Sequence, residues 1–162
     1  MHVYAIALGS NRPHGRFGRP EAVVRAAAAS LGEDITLLAL SPIFATQAVG
    51  DRGRRFANAA ATIETELDPP ALLARLKRIE RAFGRRRGKR WGTRVLDLDI
   101  LLWSGGRWRS PRPRLVVPHP ALGQRRFVLD PLIHVARDWP LAGTALTVAH
   151  ARACLMAARP RD

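Results

Sequence analysis

The apolar and polar positions of this chain set out its elements in order. Val3 to Leu8 is a continuous apolar run of strand length, stopped by the turn residues Gly9-Ser10-Asn11. Arg12 to Arg19 is a basic loop containing glycine and proline. Pro20 suits the first position of a helix that continues through the alanines and ends near Gly32, with small apolar side chains fit for close packing on a sheet. Ile35 to Thr46 reads as a second strand region, bent or placed at an edge by Ser41-Pro42. Phe56 to Glu66 is a third strand, on which Phe56, Asn58 and Ala60 share a face. Asp68 caps a helix opened by Pro69 and Pro70 and closed by Gly84. Its apolar stripe is Leu72, Leu73, Leu76, Ile79 and Phe83, with Glu80 on the border. A carboxylate there needs a donor, which an arginine or a ligand hydroxyl could supply.

Val95 to Trp103 is a further strand, followed by a turn at Gly105-Gly106 and a return through Arg109 to Pro113. Leu115 to Val117 is a short strand ending in Pro118-His119-Pro120, where two prolines stiffen the backbone that presents the histidine. Arg125-Arg126-Phe127 leads into another short apolar stretch, Val128-Leu129. A loop from Pro140 and a final helix capped by Thr147 follow, and nothing in that tail suggests chemistry. The order β-α-β-β-α-β with later additions predicts an α+β fold. The expected architecture is a ferredoxin-like antiparallel sheet with flanking helices, layered α/β/α, in a single domain over residues 1–162.

Composition narrows the partners. A net charge of +14 implies an anionic partner such as a nucleotide, a nucleic acid or an acidic surface. The single cysteine, Cys154, excludes an internal disulfide and a cysteine-clustered metal site, and its apolar helical surroundings suggest core packing. No apolar run is long enough to span a membrane and no signal peptide is evident, so a cytoplasmic protein without membrane association is expected. The glycine loops match neither a Walker A nor a dinucleotide fingerprint.

Chemistry concentrates at Arg94-Val-Leu-Asp-Leu-Asp-Ile100. Asp97 and Asp99 lie on one strand face, about 6.5–7 Å apart along the backbone, while Leu96, Leu98, Ile100 and Leu102 point the other way toward a core. Two carboxylates there are costly unless cations neutralise them. Nearby arginines could do so, or a divalent ion, and magnesium favours such carboxylates together with substrate phosphates. Upstream, Gly84-Arg-Arg-Arg-Gly-Lys-Arg-Trp-Gly-Thr-Arg94 places six cations and three glycines in a loop running into the aspartates. Arginine forks grip phosphate oxygens, and phosphoryl transfer asks mainly for positioning and charge stabilisation.

These residues resemble a known family. Gly9-Ser-Asn11, Asn58-Ala-Ala, Arg78-Ile-Glu80, Gly84-Arg85-x-Arg87, Arg90-Trp-Gly-Thr-Arg-Val-Leu-Asp-Leu-Asp-Ile100, Val117-Pro-His-Pro120 and Arg125-Arg-Phe-Val-Leu occur in the order and spacing of 6-hydroxymethyl-7,8-dihydropterin pyrophosphokinase, from about Ala5 to Leu132. The resemblance implies a step in folate biosynthesis, in which ATP with two magnesium ions gives its terminal diphosphate to the pterin hydroxymethyl oxygen and AMP leaves. It implies that Asp97 and Asp99 hold the magnesium ions, that Arg85 and Arg94 steady the transferring group, and that Arg87 and Trp91 close over ATP. Glu80, Ile100, Arg114, His119 and Arg125 match nucleotide-contacting positions, and Lys77 stands where other members often have a polar residue near the base or ribose. Thr46, Val49, Phe56, Asn58 and Phe127 match the pterin pocket, with stacking between the two phenylalanines adding about 0.5–1.5 kcal/mol. Gln47, the basic loop 51–55 and Val116 depart from the common pattern. The expected partners are ATP and a reduced pterin, with the protein a monomer. Two alternatives remain at this point: a paralogue with another alcohol acceptor, and a polyanion- or nucleic-acid-binding module, against which the carboxylate pair argues.

Overall fold

The computed structural model describes residues 1–47, 55–84 and 95–158. Strand β1 (His2–Ser10) is followed by helix α1 (Pro20–Ala29), strands β2 (Thr36–Leu40), β3 (Phe44–Gln47) and β4 (Arg55–Thr65), and helix α2 (Pro69–Ala82). Strand β5 (Asp97–Trp103), the hairpin β6 (Trp108–Pro111) and β7 (Arg114–Val117), and helices α3 (Arg126–Ala136) and α4 (Val148–Ala157) complete the described chain. The main sheet runs β2-β4-β1-β5, antiparallel throughout, with β3 also paired to β4. That is the expected ferredoxin-like arrangement.

Strand alternation divides two cores of different texture. Tyr4, Ile6 and Leu8 of β1 face α1 and α2 with Val23, Val24, Leu72, Leu76 and Ile79. The opposite face carries small residues, Ala5 and Ala60, against Leu129, Leu132, Val148 and Ala151 of α3 and α4. Large side chains therefore fill one layer while alanines let α3 approach the sheet on the other. Asp68 caps α2 by accepting the Ala71 N–H at 2.9 Å, as expected.

Three expectations change. Leu102 does not share the core of Leu96, Leu98 and Ile100 but sits in the α3–α4 core. The pairing steps from Ala5 opposite Leu102 to Ile6 opposite Ile100, so Leu101 is an extra residue whose bulge reverses the alternation. Val128-Leu129 is not an isolated apolar stretch but part of α3, which continues through Pro131. The proline removes one helical hydrogen bond, yet burial of Leu129 and Leu132 at 0% exposure holds the helix on the sheet. Cys154 is exposed rather than packed, because α4 turns Val148 and Ala151 inward.

Candidate active site

The sheet register gathers residues that are far apart in sequence. Gly9 on β1 stands opposite both Asn58 on β4 and Asp97 on β5, and Ala7 stands opposite both Ala60 and Asp99. Directly opposed residues share a face, and Ala60 belongs to the α3–α4 core. Asn58, Asp97 and Asp99 therefore all lie on the α3 side. Two strand spacings, about 9.5 Å, separate Asn58 from Asp97, and the residue between them has no side chain. The result is a trough floored by Gly9, Ala7 and Ala60, with carboxylates along one wall and Asn58 and Phe56 along the other. Thr46 and Phe44 of β3 extend the second wall, opposite Phe56 and Asn58 respectively. A Cβ at position 9 would lie 3.3 Å from Asn58 Oδ1, so the floor is matched to that amide.

The carboxylate wall is held from the outer edge of β5. Glu80 is 1% exposed. Its Oε1 accepts the Leu98 N–H at 2.8 Å and the Lys77 ammonium at 2.5 Å. Lys77 Nζ also donates to the Leu98 carbonyl at 3.0 Å and lies 3.8 Å from Asp99 Oδ1 and 4.0 Å from Asp97 Oδ1. Among the described residues, then, the donors to Glu80 are a lysine and a backbone amide. The Asp97 and Asp99 side chains remain 40% and 38% exposed. No third histidine, cysteine or carboxylate joins them into a metal cluster among the described residues. Two half-exposed carboxylates with no third histidine, cysteine or carboxylate beside them among the described residues suit a hard cation that completes its shell with water and phosphate oxygen, as magnesium does.

His119 is fixed at three points. Its N–H donates to the Leu101 carbonyl at 3.0 Å, its carbonyl accepts the Leu122 N–H at 3.0 Å, and its Nδ1 accepts the Ala121 N–H at 3.1 Å. Burial pushes the imidazole below its ordinary value, Asp99 pulls it back up, Arg125 pushes it down again and Asp97 raises it. A neutral ring whose Nδ1 accepts must carry its proton on Nε2, which makes it a donor to an anionic oxygen. Arg125 precedes α3 and places its guanidinium 5.9 Å from the ring centre of Phe127, which is 50% exposed. No ring contact joins Phe127 to Phe56, so the structure does not bring the two expected stacking partners together without a ligand between them. Arg114 opens β7 and is exposed, with no hydrogen bond or ion pair to another described residue. Ile100 is 2% exposed, so its side chain belongs to the core. Arg85, Arg87, Trp91, Arg94 and Val49 lie outside the described residues.

Periodicity alone missed Asn11, whose Oδ1 is buried without a partner just beyond the glycine of the trough. The signal was its place in the turn after β1. The basic loop of residues 12–19 serves a different surface: His14, Arg16 and Phe17 line a cleft of about 390 Å³ with Arg75, Arg78 and Phe83, and none of the described candidate residues borders it.

Residues 5–137 match the family model described as 7,8-dihydro-6-hydroxymethylpterin-pyrophosphokinase. The chain is 40% identical over 140 residues to the 2-amino-4-hydroxy-6-hydroxymethyldihydropteridine pyrophosphokinase of Bacillus subtilis, covering 85% of this chain and 80% of that protein. It is 38% identical to the protein of the same name from Haemophilus influenzae, covering 87% and 86%. Among solved structures, Plasmodium falciparum HPPK-DHPS with pteroate superposes with a TM-score of 0.70 at 12% identity, over 96% of this chain. The chain spans only 44% of that longer protein, and at this identity the likeness speaks for the fold alone.

Proposed function

The chain belongs to the 7,8-dihydro-6-hydroxymethylpterin-pyrophosphokinase family, and from that premise we propose how its residues divide the work. The enzyme transfers diphosphate from ATP to the hydroxymethyl group of 6-hydroxymethyl-7,8-dihydropterin, giving AMP and the pterin diphosphate in folate biosynthesis. The observation that carries the assignment of the site is the row Asn58–Gly9–Asp97, which sets an amide wall opposite a carboxylate wall across a bare floor.

On the amide side, Asn58 offers both donor and acceptor to the edge of a pterin ring. Phe56 and Phe127 supply the apolar faces, and Thr46 and Val49 close the pocket. Asn11, with its buried unpaired oxygen, accepts from the same substrate. On the acidic side, Asp97 and Asp99 would hold two magnesium ions. Held there, they would supply Lewis-acid stabilisation of the triphosphate charge for attack by the substrate hydroxyl on the β-phosphorus. His119 donates from Nε2 to a phosphate oxygen, and Arg125 adds its charge beside it. Arg85 and Arg94 steady the diphosphate in flight, Arg87 and Trp91 cover ATP, and Arg114 extends the cationic rim. Glu80 acts on the nucleotide through the strand it anchors, and Ile100 through its main chain. The whole chain works as one pyrophosphokinase domain, a cytoplasmic monomer. No helix among the described residues is long and apolar enough to cross a membrane.

The test is product analysis. Protein, magnesium, ATP and the reduced pterin together yield AMP, and Asp97→Asn lowers the rate by at least about a hundredfold, the scale on which removing a key electrostatic group acts. Formation of ADP instead, or of AMP without the pterin, overturns the assignment.

A further inference from the structure

Resting on that reading of the site and deepening it, we propose that Lys77 is a resident counter-cation of the Asp97–Asp99 pair, so that bare divalent ions are held off and metal loads together with nucleotide. Lys77 and Glu80 are three residues apart on α2 and face the same side. Glu80 is fully enclosed, and with the Leu98 carbonyl it tethers the ammonium at 2.5 and 3.0 Å. Those two bonds use two of the three ammonium protons. The charge is left nearly midway between the aspartates, 3.8 Å from one and 4.0 Å from the other. At that range Lys77 offsets part of the charge of the pair without hydrogen-bonding to either carboxylate.

Such an arrangement discriminates between two ways in which a metal ion can arrive. A bare divalent ion approaching the carboxylates meets a like charge about 4 Å from each. An ion arriving on a triphosphate brings compensating negative charge, and the ammonium then becomes an additional cation beside the phosphates. Tethering by Glu80 keeps the lysine from leaving the site between turnovers. Lys77 is thus a positioning residue that acts through the electrostatics of the carboxylate pair.

The proposal is tested with Mn²⁺ alone, monitored by loss of the free-ion paramagnetic resonance signal, on wild type, Lys77→Gln, Lys77→Met and Lys77→Arg without nucleotide. A unit charge at this separation, screened as at a partly exposed site, corresponds to about a tenfold change in affinity. The two charge-free variants therefore bind Mn²⁺ about tenfold more tightly than wild type, and Lys77→Arg stays within about twofold. Combining either charge-free change with Asp97→Asn abolishes the gain. In the presence of a nonhydrolysable ATP analogue the difference between wild type and Lys77→Gln narrows. A purely structural lysine predicts the opposite sign, since losing it would loosen the strand and weaken the site. Equal or weaker Mn²⁺ binding by whichever of Lys77→Gln and Lys77→Met retains the wild-type circular dichroism overturns the proposal. If wild type fails to retain Mn²⁺ even with the ATP analogue, the metal assignment to Asp97 and Asp99 fails as well. If it retains Mn²⁺ but the charge-free variants show no gain, only the role of Lys77 is lost.

Discussion

Removing Glu80 in two steps separates what its carboxylate does for the fold from what its charge does for the neighbouring lysine. Glu80→Gln keeps an oxygen for the Leu98 N–H, which lies 2.8 Å away. It removes the negative charge from Lys77, but that ammonium retains the Leu98 carbonyl and both aspartates within 4.0 Å. The loss is thus one charge-assisted bond exchanged for a neutral one, about 1–2 kcal/mol. Glu80→Ala also leaves the backbone N–H of buried Leu98 without this acceptor and opens a cavity beside it. The combined cost is about 3–5 kcal/mol. For a chain of 162 residues, each kcal/mol moves the melting midpoint by about 3 °C. The expected drops are about 3–6 °C for Glu80→Gln and about 9–15 °C for Glu80→Ala, measured by circular dichroism in magnesium-free buffer. Hydrogen exchange at the Leu98 amide should accelerate in the alanine variant and stay near wild type in the glutamine variant. Equal midpoints for the two variants, or an unchanged Leu98 amide in Glu80→Ala, would refute the claim that this carboxylate fastens the edge of β5.

Three further outcomes follow from the site and its support. Gly9→Ala places a methyl group 3.3 Å from Asn58 Oδ1, so the Michaelis constant for the pterin should rise several-fold while that for ATP holds; equal effects on both would show that the glycine does not serve the amide wall. Phe127→Ala should leave the melting midpoint within about 3 °C, because the ring is 50% exposed, yet cost about 0.5–1.5 kcal/mol of pterin affinity by calorimetry; unchanged affinity would remove Phe127 from the pocket. Asp130 joins α3 to α4: burial pushes its carboxyl up, but hydrogen bonds from Arg152 at 2.8 Å and Arg126 at 2.9 Å outweigh that and hold it below the usual range. A lowered native value means the stabilisation is complete above the unfolded carboxylate range and is lost as pH falls through the native one. Asp130→Asn should therefore cost about 1–2 kcal/mol in urea unfolding at neutral pH, with the gap to wild type closing below about pH 4; a gap independent of pH would show that the ion pairs contribute nothing.

The features legible in the sequence are those decided within a few residues. The cap at Asp68, the prolines that open α2 and the alternation of Asp97, Leu98, Asp99 and Ile100 all depend on neighbours in the chain, and the structure reproduces them. The face of Leu102 was not legible, because the bulge at Leu101 arises from how β5 pairs with Ala5 and Ile6, nearly a hundred residues away. Helix α3 was hidden by Pro131, whose local cost is overridden by contacts with the sheet. Cys154 was misplaced because an apolar helical pattern does not by itself say which side faces the core. The same limit applies to function. Motifs named Asn58, Asp97 and Asp99, but that the first lies level with the second across a glycine is a fact of strand register. The resemblance set Lys77 only near the base or ribose, and its position beside the carboxylates emerges only where α2 meets the edge of β5.

That edge also reconciles the burial of the Ile100 side chain with its proposed part in nucleotide binding. An edge strand presents unpaired main-chain groups, which invite pairing with another chain unless they are covered. In β5 the outward groups of Leu98 are taken by Glu80 and Lys77. In an antiparallel ladder residues two apart turn their N–H and C=O to the same side, so those of Ile100 face that outer edge too. Its side chain meanwhile is buried among Leu8, Leu98 and their neighbours. A planar base with a donor and an acceptor on one edge would extend the sheet at Ile100 without touching its side chain. Four consecutive residues thus present three chemistries: apolar side chains inward, carboxylates toward the trough and a main-chain edge outward. A one-residue slip in register would move Asp97 and Asp99 into the core and Leu98 and Ile100 into the trough, so the burial that stabilises this strand also fixes where its chemistry can be.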